Sequence, residues 1–311
     1  MEKSKLSKKQ KISIGVSVAI CSALIIALVV VAAIFPYIPR YLFDPKKFDI
    51  SEKPMSDELT IMSFNVRGFT TDDMYKRSYF YRAPLQRKVI EENAPDIIGF
   101  QEATDVSVFY LKRHLKGYTF IIRTVDFEEK ETSMYLAYRT DRFEQLAEGC
   151  FWLSETPDVP SRSWDTACVR CANYVTLRDK QTGKTFTAVD THLDHVSELA
   201  RRNGMQVILD KMSTLGATSF VLMGDMNCPA GSMAYNKAID SGLNDASMVA
   251  DEAYYGVGAT YHGYGEYLDY PAIDFFFVTP DFAVGKYYVF DKLYDGAYPS
   301  DHFPIVMKAT L

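Results

Sequence analysis

The N-terminal part of the chain contains one long apolar stretch, residues 12–35, with 24 consecutive uncharged positions (ISIGVSVAICSALIIALVVVAAIF). A helix rises about 1.5 Å per residue, so this stretch would span roughly 36 Å, enough to cross a hydrocarbon core of about 30 Å. The apolar core of a secretory signal peptide is shorter, about 7–15 residues. The pattern therefore predicts a transmembrane signal anchor, and a signal peptide cleaved near residues 30–33 is the alternative.

The rest of the chain alternates short apolar segments with segments of helical periodicity. Helical spacing predicts helices over residues 84–93, 106–115, 195–215 and 233–239, with Pro84 in the first turn of the first helix and His114 on the surface of the second. Short apolar segments predict strands over residues 59–65, 96–101, 118–125, 134–138, around 151, 172–177, 186–191, 220–224, 273–278, 287–290 and 303–311. Strands outnumber helices, and the helices fall between strands. This order is typical of an α/β domain in which helices cover mixed sheets.

A proline-containing segment separates the apolar stretch from the remainder of the chain. Four prolines lie within residues 36–58, at Pro36, Pro39, Pro45 and Pro54. Proline at this density interrupts a helix and stiffens a linker. We therefore predict a semi-rigid linker over residues 36–58 and one large domain over residues 59–311.

Charge is distributed unevenly along the chain. The formal net charge is −6, and residues 1–11, a basic tail with five Lys and one Glu, contribute +4, which leaves −10 for the remainder. An acidic body argues against non-specific adhesion to nucleic acid, which needs many Lys and Arg contacts to phosphate. Phosphate chemistry stays open because a bound divalent metal supplies positive charge locally. Five Lys before the apolar stretch and three basic residues after it favour a cytoplasmic N-terminus, a single pass through the cell membrane and an extracytoplasmic body.

The body contains four cysteines, Cys150, Cys168, Cys171 and Cys228. An extracytoplasmic location would permit disulfides. The Cys168–Cys171 spacing resembles half of a zinc knuckle, but the chain offers no second such pair. Ordinary buried thiols are the favoured interpretation, and the disulfide state stays open.

Polar side chains cluster where the predicted strands end. The strand-end residues are Asn65, Gln101 and Glu102, His192 to His195, Asp225 to Asn227, Asp274, and Asp301 with His302. A single aspartate at a strand end is more often a turn former or a helix cap than a catalytic residue. Six strand ends with carboxylates, amides and imidazoles are hard to attribute to turns alone, so we expect an active site there.

These residue types share a use in phosphate chemistry. Oxygen donors such as Glu102 and the Asn65 amide suit Mg²⁺, which keeps water and substrate phosphate in its other positions. Asp225 and Asn227 are two residues apart, so in an extended strand both would point to one face, where one could accept a proton from water and the other hold a phosphate oxygen. Zinc is the competing metal because three histidines are available, but no dense imidazole spacing is present, so Mg²⁺ or Mn²⁺ is favoured.

Nine blocks in this order resemble the endonuclease/exonuclease/phosphatase superfamily of DNase-like metal-dependent phosphohydrolases. They are SFNVRG (63–68), PDIIGFQEAT (95–104), YRTDRFE (138–144), FWLSETPD (151–158), THLDH (191–195), GDMNCPA (224–230), TYHGY (260–264), IDFFFV (273–278) and SDHFPIV (300–306). The blocks span the whole predicted domain, and FWLSETPD is similar to a bacterial subgroup. The chain is thus identified as a membrane-anchored bacterial member of that superfamily.

The resemblance implies a four-layer α/β/β/α sandwich of two mixed sheets, with the site where both sheets end. It implies metal ligands at Asn65, Glu102 and Asp301, and catalytic residues at His192, Asp225, Asn227, Asp274 and His302. Asp274 would orient His302, and the role of general base is shared between a histidine and an aspartate. The substrate-binding candidates are Arg139, Asp194, Tyr261 and His262. The family often has a glutamate before the YR block, and Glu131 is nearest but one residue out of phase.

The sequence thus predicts a membrane-tethered, Mg²⁺-dependent phosphohydrolase, with a nuclease-like phosphodiesterase as the first interpretation. Metal-activated water would attack in line without a covalent intermediate. A phospholipid or inositol-phosphate hydrolase is the alternative within the enzyme class, and a catalytically silent surface binding module is the alternative outside it. The expected partners are a phosphoester of nucleic acid, nucleotide or lipid headgroup, and the membrane through residues 12–35. The sequence indicates no protein partner.

Overall fold

The computed structural model describes residues 8–123 and 133–311. Its helices are α1 (Lys8–Ile34), α2 (Ile38–Leu42), α3 (Tyr79–Asn93), α4 (Asp105–His114), α5 (Glu198–Thr214), α6 (Met233–Asp240) and α7 (Ala246–Val249). Short 3₁₀ helices lie at Phe35–Tyr37, Ile50–Glu52 and Tyr75–Arg77. Glu131 and the last two residues of the strand predicted over 118–125 fall outside the described residues, as do the first seven residues of the basic tail.

Fifteen strands occur among the described residues. They are β1 (Phe48–Asp49), β2 (Leu59–Asn65), β3 (Ile97–Ala103), β4 (Leu115–Lys116), β5 (Tyr118–Arg123), β6 (Ser133–Arg139), β7 (Phe143–Trp152), β8 (Cys171–Asp179), β9 (Thr185–His192), β10 (Phe220–Asp225), β11 (Asn244–Asp245), β12 (Glu252–Tyr254), β13 (Asp274–Val278), β14 (Ala283–Val289) and β15 (Ile305–Thr310). A six-stranded sheet has the order β11-β13-β10-β9-β8-β7, and a seven-stranded sheet has the order β12-β14-β15-β2-β3-β6-β5. Both sheets mix parallel and antiparallel pairs, for example β9 with β10 and β10 with β13.

The two sheets pack face to face, and helices cover both outer faces. Ile61 belongs to the core between the sheets, whereas Met62 belongs to the core beneath α3 and α4. In the other sheet Val221 faces the inter-sheet core and Leu222 faces the core beneath α5 and α6. Successive side chains of a strand point to opposite faces, so strands buried on both faces carry near-continuous apolar runs. The α/β fold of two mixed sheets is thereby confirmed.

The predicted apolar helix forms as α1, and most of its described side chains are exposed, whereas Ala33 and Ile34 at its end are buried. Within it and the turns that follow, residues Ile14–Leu42 are long and apolar enough to cross a membrane, with a mean hydropathy of 3.1 and 11% of the most apolar window buried. A signal sequence near an N-terminus can also meet this criterion of length and composition. The structure therefore supports a membrane anchor or a signal peptide at this position.

Residues 36–58 differ from the expected linker because they pack on the body. α2 lies against α3, and β1 pairs in parallel with β4. The Asp44 carboxylate accepts from the Tyr110 hydroxyl at 2.6 Å and from the Arg87 Nε at 3.4 Å. The prolines interrupt the helix as predicted, but aromatic and charged side chains between them contact residues of the body. The segment is thus part of the folded domain.

Loss of the Asp44 contacts is expected to destabilise the chain. Asp44→Ala would leave the buried Arg87 guanidinium without this carboxylate, at a cost of about 1–3 kcal/mol in the free energy of unfolding. Denaturant titration of the full chain in detergent measures this loss, with the exposed Asp57→Ala as the matched control. Equal stability of the two variants would contradict a stabilising role for the docked segment.

Two local expectations are wrong. α3 begins at Tyr79, five residues before Pro84, so that proline lies inside the helix rather than in its first turn. His114, expected on a helix surface, is buried, and its Nδ1 lies 2.8 Å from the Lys46 carbonyl oxygen of the docked segment.

Candidate active site

Three of the predicted catalytic residues are lateral neighbours at one edge of the six-stranded sheet. Asp225 ends β10 and pairs across the ladder with His192 of β9 and with Asp274 of β13. Gly224, directly before Asp225, has a φ of 143°, and a Cβ there would overlap the Thr191 carbonyl oxygen. Glycine therefore permits the close approach of β9 and β10 at the level of the site.

One oxygen of Asp225 is the centre of the site. Its Oδ2 lies 3.4 Å from His192 Nε2 and 3.6 Å from His302 Nε2. The Asn65 Nδ2 donates to the same oxygen at 3.1 Å and arrives from the seven-stranded sheet. All four side chains are buried. The two sheets thus converge on a single carboxylate oxygen.

His302 is held between two carboxylates. Its Nδ1 lies 2.9 Å from Asp274 Oδ2, while its Nε2 faces Asp225. The residue precedes β15 and pairs with Tyr261 in an isolated bridge, which fixes its backbone. Burial alone would lower the pKa of His302, but the charges of Asp274 and Asp225 outweigh it and raise the pKa to about 10. The geometry and the charges both favour an imidazolium.

The imidazole of His192, in contrast, favours the neutral form. Burial, together with the charges of Arg170 and His302, lowers the pKa of His192 well below its usual value. Burial and repulsion from Asp274 raise the pKa of Asp225 to about 7, against the attraction of His302. Groups whose environments drive their pKa values apart are typical of acid–base sites. Asp225 therefore lies between one neutral and one charged imidazole.

The predicted metal ligands Glu102 and Asp301 flank a guanidinium. Arg67 Nη1 lies 3.9 Å from Glu102 Oε2, and Arg67 Nε lies 3.8 Å from Asp301 Oδ2. Glu102 has a φ of 54° within an irregularity of the β3–β6 ladder. Both carboxylates line the same cavity as Asp225. These two carboxylates lie on either side of the positively charged Arg67 and face the cavity. Such a pair of oxygen donors fits the ligand set of a divalent metal.

Asn65 differs from its expected role as a metal ligand. Its amide oxygen accepts from the Arg67 backbone N–H, and its Nδ2 donates to Glu102 at 3.0 Å and to Asp225 at 3.1 Å. The amide thus bridges the two carboxylates with its nitrogen. In this arrangement Asn65 positions Glu102 and Asp225.

Asn227 reaches the site by a turn and not by an extended strand, so the expected geometry is wrong. Its φ is 49°, and its backbone N–H donates to Asp225 Oδ1 at 2.9 Å. An aspartate that bonds the N–H two residues on closes a tight turn. The Asn227 amide donates to the Leu193 carbonyl oxygen at 2.9 Å and lines the cavity.

A cavity of about 710 Å³ is lined by six of the predicted site residues, namely Glu102, His192, Asp225, Asn227, Asp301 and His302. Asn65 and Asp274 do not line it. Tyr261 lies at its wall, and its role in substrate binding stays a prediction. Arg67 and Arg170 also line it, and the sequence analysis missed both. Arg67 lies inside the SFNVRG block, which marks it as a candidate, whereas Arg170 falls between two cysteines and carries no motif signal. The cavity therefore presents two guanidinium groups near the histidines.

Three of the four predicted substrate-binding residues do not line the cavity. Arg139 is buried at the other end of β6, where its guanidinium donates to Asp141 and to the Lys53 carbonyl oxygen. Asp194 accepts from Thr166 and from backbone N–H groups, including that of Ser197 at 2.6 Å. These two side chains are engaged by the protein itself, so their assignment is corrected.

His262 is also corrected. Its ring is fully buried against Tyr298 and Phe303, with centroid distances of 4.5 and 4.0 Å. Its backbone N–H donates to the Asp301 carbonyl oxygen at 2.9 Å. The residue therefore supports the loop that carries Asp301 and His302 from behind.

None of the cysteines of the described residues forms a disulfide. Cys168 and Cys171 line the cavity. Ligand atoms of Cys168, Asp194 and His195 lie within 4.8 Å of one another. Because Asp194 already accepts several hydrogen bonds from the protein, this group does not resemble a prepared zinc site.

A buried acid links the two sheets beneath the site. Asp190 Oδ1 accepts from Gln101 Nε2 at 2.5 Å, and Gln101 also contacts the Ser63 hydroxyl at 3.2 Å. Burial raises the pKa of Asp190 well above its usual value, against the opposing hydrogen bond from Gln101. The folded state therefore holds the proton of Asp190 more tightly than the unfolded state does.

The raised pKa of Asp190 predicts that the stability difference between the wild type and Asp190→Asn depends on pH. The stability contributed by protonated Asp190 is full below its unfolded pKa, about 3.9, and is lost as pH rises through the folded pKa. Asp190→Asn stays neutral, so its melting temperature is expected to exceed that of the wild type by a margin that grows from pH 4 to pH 8. Calorimetry in detergent measures the margin, and the exposed Asp251→Asn should show no such growth. A margin that shrinks with rising pH would contradict the burial of a neutral acid.

Comparisons with known proteins agree with this arrangement. The sequence profile described as the Endonuclease/Exonuclease/phosphatase family matches residues 62–302. An endonuclease/exonuclease/phosphatase from Bacteroides vulgatus is 32% identical, with a TM-score of 0.77 over 82% of this chain and 99% of that one. A mannosyl-6-phosphatase of Bacteroides thetaiotaomicron is 29% identical, with a TM-score of 0.74 over 81% of this chain and 100% of that one. An uncharacterized protein of Acanthamoeba polyphaga mimivirus is 28% identical over 182 residues, 54% of this chain and 67% of its own.

Proposed function

The chain belongs to the endonuclease/exonuclease/phosphatase family and is a hydrolase of phosphoester bonds, and we propose that it hydrolyses a phosphodiester with Mg²⁺ or Mn²⁺ as cofactor. The observation that carries the proposal is the position of Asp225 Oδ2 between two imidazoles. Glu102 and Asp301 line the same cavity, at positions suited to a divalent cation. A proton acceptor, phosphate-binding imidazoles and metal ligands thus share one space.

Each buried group has a distinct part in the proposed reaction. Asp225 accepts the proton of the attacking water, because its raised pKa makes the carboxylate a base suited to neutral pH. His302 donates its Nε2–H to a non-bridging phosphate oxygen, and Asp274 on Nδ1 keeps the ring charged and oriented. Neutral His192 donates from the opposite side as charge develops on the phosphate oxygens.

The remaining polar groups bind and position. Arg67, Arg170 and the Asn227 amide line the cavity and can bind phosphate oxygens. Asn65 fixes the distance between Glu102 and Asp225. A divalent cation held by Glu102 and Asp301 would, when bound, polarise the phosphate and lower the pKa of water. Attack in line with the leaving group needs no covalent intermediate on the protein.

The proposal includes a membrane location. α1 would act as a single-pass signal anchor, with the N-terminus in the cytoplasm and the catalytic domain outside. The exposure and the mean hydropathy of 3.1 of this segment support the anchor. Detection of the full-length chain in the membrane fraction would support it, and a mature N-terminus after residues 30–33 would show a cleaved signal peptide instead.

A phosphosugar monoester is the second candidate substrate. The observation that favours it is the 29% identity, over 81% of this chain, to a protein named as a mannosyl-6-phosphatase. A monoester carries more negative charge than a diester, and Arg67 and Arg170 could bind it. The relative rates on bis(4-nitrophenyl) phosphate and mannose 6-phosphate separate the two candidates.

The decisive experiment is turnover by the full-length chain in detergent micelles. We expect hydrolysis of bis(4-nitrophenyl) phosphate with Mg²⁺ or Mn²⁺ present and its loss on addition of EDTA. Faster hydrolysis of mannose 6-phosphate than of bis(4-nitrophenyl) phosphate would identify the protein as a phosphomonoesterase instead. The absence of hydrolysis across diesters and monoesters would overturn the catalytic proposal and leave a surface binding module.

A further inference from the structure

The segment that follows α1 packs behind one wall of the catalytic cavity. One apolar cluster, which we call the anchor cluster, joins the two parts and contains Tyr41, Leu42, Phe69, Tyr79, Phe80, Ala83, Val106 and Tyr110. Tyr41 and Leu42 belong to α2, whereas Phe69 lines the cavity beside Arg67. The cavity and the attachment point of α1 therefore share one packed cluster.

Two short routes connect Tyr41 to the cavity. The Tyr41 ring lies 5.1 Å from the Phe80 ring, and the Phe80 ring lies 5.3 Å from that of Phe69. The Tyr41 hydroxyl donates to the Val106 carbonyl oxygen at 2.7 Å. Thr104, two residues before Val106, also lines the cavity and accepts from the Phe69 N–H at 3.2 Å. The position of the cavity relative to α2 is fixed by packing.

The cavity wall is also close to the end of the apolar helix. Tyr41 is seven residues beyond Ile34, the last residue of α1. Through α2 and the preceding turn this separation is about 10 Å at a helical rise. The headgroup layer on each side of a bilayer is about 5–8 Å thick. If α1 spans the membrane up to Ile34, Tyr41 lies just beyond the outer edge of the headgroup layer, and the anchor cluster adjoins that layer.

The surface around the anchor cluster has the chemistry of a membrane interface. Phe43 and Phe109 are 74% and 55% exposed, and the Phe109 ring lies 6.4 Å from that of Tyr41. Five exposed basic residues flank them: Arg40, Lys46, Lys47, Lys112 and Arg113. We call this surface, residues 40–47 and the exposed side of α4, the anchor face. Exposed aromatic and basic side chains on an otherwise acidic body are complementary to anionic headgroups.

We propose that the anchor face rests on the bilayer and that the substrate is a phosphoester held in that bilayer. This inference rests on the proposed function and adds the substrate class. Phe69 of the anchor cluster lines the same cavity as Asp225 and its histidines, so a headgroup bound at the anchor face would lie beside that cavity. A substrate confined to the same surface meets the site at a raised effective concentration, whereas a soluble ester of the same chemistry does not.

Two synthetic substrates with the same scissile bond test the proposal. Hexadecyl 4-nitrophenyl phosphate inserts into vesicles, and ethyl 4-nitrophenyl phosphate stays in solution. The full-length chain is reconstituted in vesicles of phosphatidylcholine with phosphatidylglycerol. A variant carries a 20-residue Gly/Ser insert between Ile34 and Phe35, which leaves α2 docked on α3 but separates the body from the bilayer by roughly 25 Å. A second variant, Phe43→Ser with Phe109→Ser, changes only exposed side chains.

We expect both variants to hydrolyse the hexadecyl ester about tenfold more slowly than the wild type and the ethyl ester at an unchanged rate. Unchanged rates on both esters would overturn the proposal, because the anchor face would then not position the site. Equal losses on both esters would also overturn it and assign the segment a structural role only.

If the wild type hydrolyses neither ester while it hydrolyses mannose 6-phosphate, the diester assignment fails. No hydrolysis of any ester would instead overturn the proposed function itself.

Discussion

Asp225→Asn is expected to lower kcat for phosphoester hydrolysis by about 10²–10⁴-fold. The amide keeps the shape of the carboxylate but cannot accept a proton from water. Asp225 Oδ2 lies within 3.6 Å of both active-site imidazoles and 3.1 Å from the Asn65 amide nitrogen, so the change removes charge from the centre of the site. Burial and Asp274 raise the pKa of Asp225 to about 7, so a neutral amide relieves repulsion there. Folding should therefore survive.

The rate is measured at saturating substrate with the full-length chain, and circular dichroism and the melting temperature report the fold. Asp251→Asn, at an exposed position that does not line the cavity, is the matched control and should keep the wild-type rate. An Asp225→Asn protein that turns over at more than a tenth of the wild-type rate would remove Asp225 from the role of base. His192 would then be the remaining acceptor at the site.

Glu102→Gln is expected to raise the Mg²⁺ concentration needed for half-maximal activity by on the order of 10–100-fold. The change removes one of two carboxylates that flank Arg67 at 3.9 and 3.8 Å. Glu102 faces the cavity because its backbone adopts a φ of 54°, and Asn65 holds its other oxygen at 3.0 Å. A neutral amide leaves the metal with a weaker set of donors. EDTA should abolish wild-type activity altogether.

Metal titration followed by calorimetry gives a second measure that does not depend on turnover. Mg²⁺ should bind the wild type more tightly than Glu102→Gln, and the exposed Glu252→Gln should match the wild type in both assays. Equal Mg²⁺ affinity of Glu102→Gln and the wild type would show that Glu102 is not a metal ligand. Asp301 and Asp225 would then be the carboxylates to test.

The strand ends that carry the site could be predicted from the sequence because each lies directly after or before an apolar run. Asp225 follows FVLMG, and the ladder then places it beside His192 and Asp274 without further information. Sheets covered by helices follow from near-continuous apolar runs such as LTIMSFN, whereas the four-layer sandwich is implied by the family resemblance. Local pattern and sheet geometry together account for these features.

Other features depend on contacts between distant residues and leave no local signal. Arg170 enters the cavity because β8 starts at its edge, not because of a motif. Arg139 and His262 stand in matching blocks, yet tertiary packing buries them away from the cavity. The Asn227 turn depends on a backbone φ of 49°, which spacing alone cannot specify.

The docking of residues 36–58 has a consequence for the folding unit. Lys53 Nζ contacts Asp96 at 3.2 Å and the Ala94 carbonyl oxygen at 2.8 Å, and His114 bonds the Lys46 carbonyl oxygen. A chain shortened to start at Leu59 would lose these partners and expose the Tyr79 and Tyr110 rings to water. The cooperative unit of this enzyme therefore starts at about Phe35, so a soluble fragment for crystallisation should retain everything after α1.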